Sequence, residues 1–110
     1  MLNHLFVYGS LGPGRPNEHI ISSIGGSWQA GSVRGNLLEE GWGADMGFPG
    51  IILDEEGEVV NGFVFSSKNL PEHWERLDAF EGEAYERVVA NVLLENEKSV
   101  EAYIYALKRD

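Results

Sequence analysis

Apolar residues recur along this chain with two different periods. Near the C-terminus the period is two. Val100, Ala102, Ile104 and Ala106 alternate with Tyr103, Tyr105 and Leu107, so Ser99 to Leu107 reads as a strand that is apolar on both faces. Such a strand suits a curled sheet with little free face, as in a small barrel. Tyr85 to Leu94 reads as its hairpin partner across Glu95-Asn96-Glu97-Lys98. Before that hairpin the period lengthens. Trp74, Leu77 and Phe80 stand at helical spacing and predict an amphipathic helix from about Pro71 to Phe80, stopped by Gly82.

The N-terminal half is more broken. Leu5 to Tyr8 predicts a short buried strand, followed by the loop Gly9-Ser10-Leu11-Gly12-Pro13-Gly14. Asn17 is placed to N-cap a short helix through about Ser23, with Gly25-Gly26 closing it. Ser27 to Leu38 holds one or two strands, interrupted at Gly31 and Gly35. Glu40 to Gly50 reads as an irregular loop. Ile51 to Leu53 and Glu58 to Phe65 read as a hairpin across Asp54-Glu55-Glu56-Gly57. Six or seven strands and two short helices, with no repeating βαβ order, predict an α+β fold. Its sheet is small, mostly antiparallel and barrel-like. The 110 residues are expected to form a single domain.

Composition narrows the function classes. Eighteen acidic and eight basic residues give a net charge of -10, the wrong sign for nucleic acid or an anionic membrane surface. With no cysteine, disulfides, thiol nucleophiles and thiolate metal sites are excluded. His4, His19 and His73 stand apart, with no pair at metal-ligand spacing, so no metal is expected. No basic segment followed by an apolar one opens the chain, and no apolar run is long enough to span a membrane. These features predict a soluble, cytoplasmic protein.

The most informative segment is Leu77-Asp78-Ala79-Phe80-Glu81-Gly82, followed by Tyr85-Glu86-Arg87. It puts Glu81 at a helix C-terminus, where the macrodipole disfavours negative charge. Asp78 precedes it on the same face and adds like-charge repulsion. Both effects predict a raised pKa for Glu81, the property of a general acid or base near neutral pH. The competing reading is a solvated glutamate at a frayed helix end. Tyr85 can present its hydroxyl to the same pocket. Arg87 can pair with a carboxylate of the protein or of a ligand. In the loop after the first strand, Gly9 to Leu11 allow backbone N–H groups to approach a carboxylate or an oxyanion closely. Ser10 lacks a histidine at any recognisable spacing, so it reads as a hydrogen-bonding residue rather than a nucleophile. Trp42, Phe48 and Pro49 suit an apolar lid or core filling equally well.

Five segments in order, covering roughly residues 5 to 106, resemble the gamma-glutamylcyclotransferase-like (AIG2-like) superfamily in its short bacterial form. They are Val7-Tyr8-Gly9-Ser10-Leu11, Val33-Arg34-Gly35-Asn36-Leu37, Gly47-Phe48-Pro49-Gly50-Ile51, Val60-Asn61-Gly62-Phe63-Val64-Phe65, and the Leu77 to Gly82 segment with Tyr85 to Arg87. The resemblance implies a barrel-like fold with a cavity. It implies that Tyr8, Gly9, Ser10 and Leu11 bind a gamma-glutamyl group, with Tyr85 near the pocket and Glu81 as the acid/base. The implied reaction releases an amine from a gamma-glutamyl amide and leaves 5-oxoproline, with a small-molecule substrate and no cofactor. The alternative is a non-catalytic module that binds a small amino-acid-like ligand in the same cavity.

Overall fold

Gly31 and Gly35 do not interrupt the strand they punctuate. In a computed structural model that describes residues 3–9, 11–38 and 50–108, Ser27–Leu38 forms one 12-residue strand, β2. Around it lie β1 (His4–Val7), β3 (Gly50–Leu53), β4 (Glu58–Ser66), β5 (Tyr85–Leu94) and β6 (Ser99–Leu107), with helices α1 (Glu18–Ser22) and α2 (Trp74–Glu81). The two glycines allow close approaches that a side chain would block. A Cβ on Gly31 would lie 2.8 Å from Val92 Cγ1 and 3.0 Å from the Leu93 carbonyl oxygen. That is where β2 meets β5, with Gly31 opposite Leu94 and Ser32 opposite Leu93. This pairing closes the ring β2-β4-β1-β6-β5 into a five-stranded barrel, and β3 adds a strand on β2. All the pairings are antiparallel except β1 with β6, which is parallel.

The expected hairpin of β3 with β4 does not form. Both strands pair with β2 instead, Gly35 standing opposite Leu53 on one side and Glu58 on the other. The turn from Asp54 to Gly57 therefore crosses the face of β2. The crossing is close: a Cβ on Gly57 would lie 2.8 Å from the Gly35 carbonyl carbon. Polar turn residues between two apolar runs look alike whether the runs pair with each other or with a third strand, so strand periodicity does not reveal this.

The alternation in β6 sorts the core into two layers. Ala102, Ile104 and Ala106 point into the barrel with Phe6, Val33, Ile51, Val60, Val64, Ala90 and Val92. Tyr105 and Leu107 point outward into a second cluster with Leu5, Val7, Leu11 and Tyr85, covered by Ile21 of α1 and by Trp74 and Leu77 of α2. Alanines on the inner face suit a barrel this narrow. The second helix starts later than its sequence suggests, because Leu70–Glu72 forms a 3₁₀ turn around Pro71 before α2 begins. Gly82, at φ 81°, ends α2 and returns its N–H to the Asp78 carbonyl at 3.0 Å. Asn17 occupies the N-cap position of α1 but makes no side-chain capping bond there.

Candidate active site at one end of the barrel

The C-terminal ends of β1 and β6 and the start of β5 come together at one end of the barrel, because β1 runs parallel to β6 and β6 antiparallel to β5. Tyr8 emerges there directly after β1. Its hydroxyl donates to the main-chain carbonyl of Tyr105 at 2.7 Å and accepts from the Ile51 N–H at 3.1 Å. One phenol thus ties β1 to β6 and to β3. Burial drives the Tyr8 phenol far above its ordinary pKa. The Ile51 N–H opposes this, while Tyr85 and Glu81 lie close enough to push it higher.

Glu81 is the last residue of α2 and is partly buried. Its pKa is pushed up to about 7, and the cause is burial. The direction matches the sequence expectation, but the physical origin differs. Asp78 does not act as an unopposed like charge. Its carboxylate accepts from Arg87 Nε at 2.9 Å, from Arg87 Nη2 at 3.3 Å and from the Tyr105 hydroxyl at 2.6 Å. Partial burial pushes the Asp78 carboxyl up, but these donors outweigh it and hold the group below its usual value. Arg87 is thereby a structural ion-pair partner. Its guanidinium carbon also lies 4.6 Å from the ring centroids of both Trp74 and Tyr103.

The remaining expected residues fall as follows. Tyr85, first in β5, is buried among the outer cluster with Leu77 and Tyr105. Leu11 is buried in the same cluster, so its side chain is part of the core. Gly9 turns the chain by accepting the Gly12 N–H at 3.1 Å. Ser10, Trp42, Phe48 and Pro49 lie outside the described residues. The structure therefore draws Tyr8, Glu81 and Tyr85 together across some seventy residues of sequence. Sequence reasoning missed Tyr105, whose polar role shows only through contacts distant in sequence, and it read Asp78 as a like charge on Glu81 without pairing it with Arg87. Among the described residues no three His, Asp or Glu side chains gather to hold a metal ion, and no helix is long and apolar enough to cross a membrane.

Residues 5–110 match the family described as gamma-glutamyl cyclotransferase, AIG2-like. The chain belongs to that family. No curated protein matches it. Among solved structures it is similar to YkqA from Bacillus subtilis, with 25% identity and a TM-score of 0.73 over 98% of this chain but only 36% of YkqA. It is also similar to an AIG2-like protein from mouse, with 24% identity and a TM-score of 0.71 over 96% of this chain and 76% of that one. A structure described as gamma-glutamyl cyclotransferase shares the fold at 18% identity, with a TM-score of 0.68 over 96% of this chain and 66% of that one. These TM-scores show a shared fold over nearly the whole of this chain.

Proposed function

We propose that this member of the gamma-glutamyl cyclotransferase, AIG2-like family cleaves a gamma-glutamyl amide, releasing an amine and 5-oxoproline, with Glu81 as the acid/base. The observation that supports this most is the partly buried Glu81, whose pKa of about 7 lies close to working pH beside Tyr8.

In this reaction the substrate's own alpha-amine attacks its gamma-carbonyl and closes a five-membered ring. The nucleophile is already tethered, so the protein's main task is to hold the substrate in the attacking conformer. The Glu81 carboxylate takes a proton from the attacking amine. The resulting acid gives that proton to the leaving nitrogen as the amide bond breaks. One carboxylate thus serves both steps, and a pKa of about 7 suits both directions of transfer. Backbone groups of Gly9, Ser10 and Leu11 would hold the substrate's carboxylate or the developing oxyanion. Tyr8 and Tyr85 would wall the pocket beside them. A cytoplasmic location fits the cysteine-free sequence.

A panel of gamma-glutamyl amines and dipeptides, assayed for 5-oxoproline, tests this reading. The expected result is stoichiometric release of 5-oxoproline and amine from at least one compound. Saturable binding with the ligand returned unchanged would contradict it and assign the cavity to ligand binding alone.

A further inference from the structure

One residue touches both halves of this site, by two different groups. The Tyr105 hydroxyl donates to Asp78 Oδ1 at 2.6 Å, one helical turn before Glu81. The Tyr105 main-chain carbonyl accepts the Tyr8 hydroxyl at 2.7 Å, just where the glycine loop begins. We propose that Tyr105 is a positioning residue that holds the Glu81 helix and the Tyr8 loop in fixed relation to each other. The proposal rests on the cyclotransferase reading of the site.

The surroundings support a positioning role. Tyr105 is only 4% exposed, so its ring has little freedom and its two bonds have fixed directions. α2 has just eight residues and ends at Gly82, so its last turn has little helix beyond it for support. Asp78 is the anchor of that turn. Arg87 of β5 holds it from one strand and Tyr105 of β6 from the next. A general base must stand within hydrogen-bond reach of the proton it takes. A displacement of about 1 Å at such a group costs about a hundredfold in rate.

Tyr105→Phe tests this. It keeps the ring and the carbonyl and removes only the bond to Asp78. The expected result is a kcat about tenfold lower or more, with KM within about twofold of the parent, because substrate anchoring by the loop is untouched. A second readout needs no turnover. The NMR titration midpoint of the Glu81 carboxyl should fall from about 7 toward its ordinary 4.5 as the loosened helix end admits water. The substitution changes no charge and Asp78 keeps Arg87, so such a shift reports solvent access. Asp78→Ala should reproduce the loss, and adding Tyr105→Phe to it should cost nothing more. Should Tyr105→Phe not fold, Asp78→Ala carries the kcat and KM readout alone, because its change of charge shifts nearby titrations by itself. A folded Tyr105→Phe with parental kcat and an unmoved Glu81 midpoint overturns the proposal, as does a rise in KM alone. If the parent releases no 5-oxoproline from any compound, the functional reading falls, and the Glu81 midpoint still decides whether Tyr105 positions the helix.

Discussion

Tyr8 and Tyr105, 97 residues apart in sequence, are joined at 2.7 Å by a phenol hydroxyl donating to a main-chain carbonyl. The same hydroxyl accepts the N–H of Ile51, whose side chain is fully buried. Tyr8 is thus a latch between three strands. Tyr8→Phe leaves a carbonyl and an N–H without this partner. It should lower stability by about 2 kcal/mol. Urea unfolding should show a lower midpoint with an unchanged slope. An unchanged midpoint would mean that water replaces the hydroxyl at no cost.

Arg87 combines a two-pronged ion pair with stacking on two rings. A lysine keeps the charge but not the planar fork. Arg87→Lys should therefore lose about 1 kcal/mol, most of it persisting in high salt because ring contact is screened less than an exposed ion pair. Unfolding at low and high salt checks this. Parental stability in Arg87→Lys would show that charge alone suffices.

The turn over β2 depends on Gly57, because a Cβ there would meet the Gly35 backbone at 2.8 Å. Backbone cannot step aside as a flexible side chain does. Gly57→Ala should cost about 1–3 kcal/mol through forced backbone shifts. Its turnover per folded molecule should be unchanged, since the nearest atoms to a Cβ there belong to Gly35 and not to Tyr8, Glu81 or Tyr85. Thermal unfolding alongside an activity assay separates the two effects.

What the sequence made legible was local. The alternation from Val100 to Leu107 predicted a strand with two apolar faces, and the barrel supplies a core for each. The spacing of Trp74, Leu77 and Phe80 located α2, and Gly82 its end. What it concealed was long-range. Gly31 and Gly35 look like strand breaks and turn out to be the points where β5 and the Asp54–Gly57 turn press on β2. Asp78 looks like a charge repelling Glu81, until Arg87 and Tyr105 are seen to bind it. The direction of the Glu81 shift was legible, but its cause was not. Burial depends on the whole fold, whereas the helix dipole and the Asp78 spacing are properties of a short segment.

The raised pKa of Glu81 links stability to pH. Between its ordinary 4.5 and about 7, the folded protein holds this proton more tightly than the unfolded chain does. The contribution is therefore complete below pH 4.5 and is lost as pH rises through 7. At roughly 1.4 kcal/mol per unit the loss amounts to a few kcal/mol. Glu81→Gln removes the titrating group. Relative to the parent it should gain stability steadily from pH 4.5 to above pH 7. A stability difference that does not vary with pH would show that Glu81 titrates normally.

We propose that Glu81 moves the proton. The most direct test pairs 5-oxoproline release with thermal unfolding on one preparation of Glu81→Gln, at neutral pH and with the best substrate of the panel. Glutamine keeps the shape and hydrogen-bonding capacity of the side chain and removes its basicity. The expected result is a folded variant, as stable as the parent or more so, with turnover reduced about a hundredfold or more. Near-parental turnover in that folded variant would contradict it.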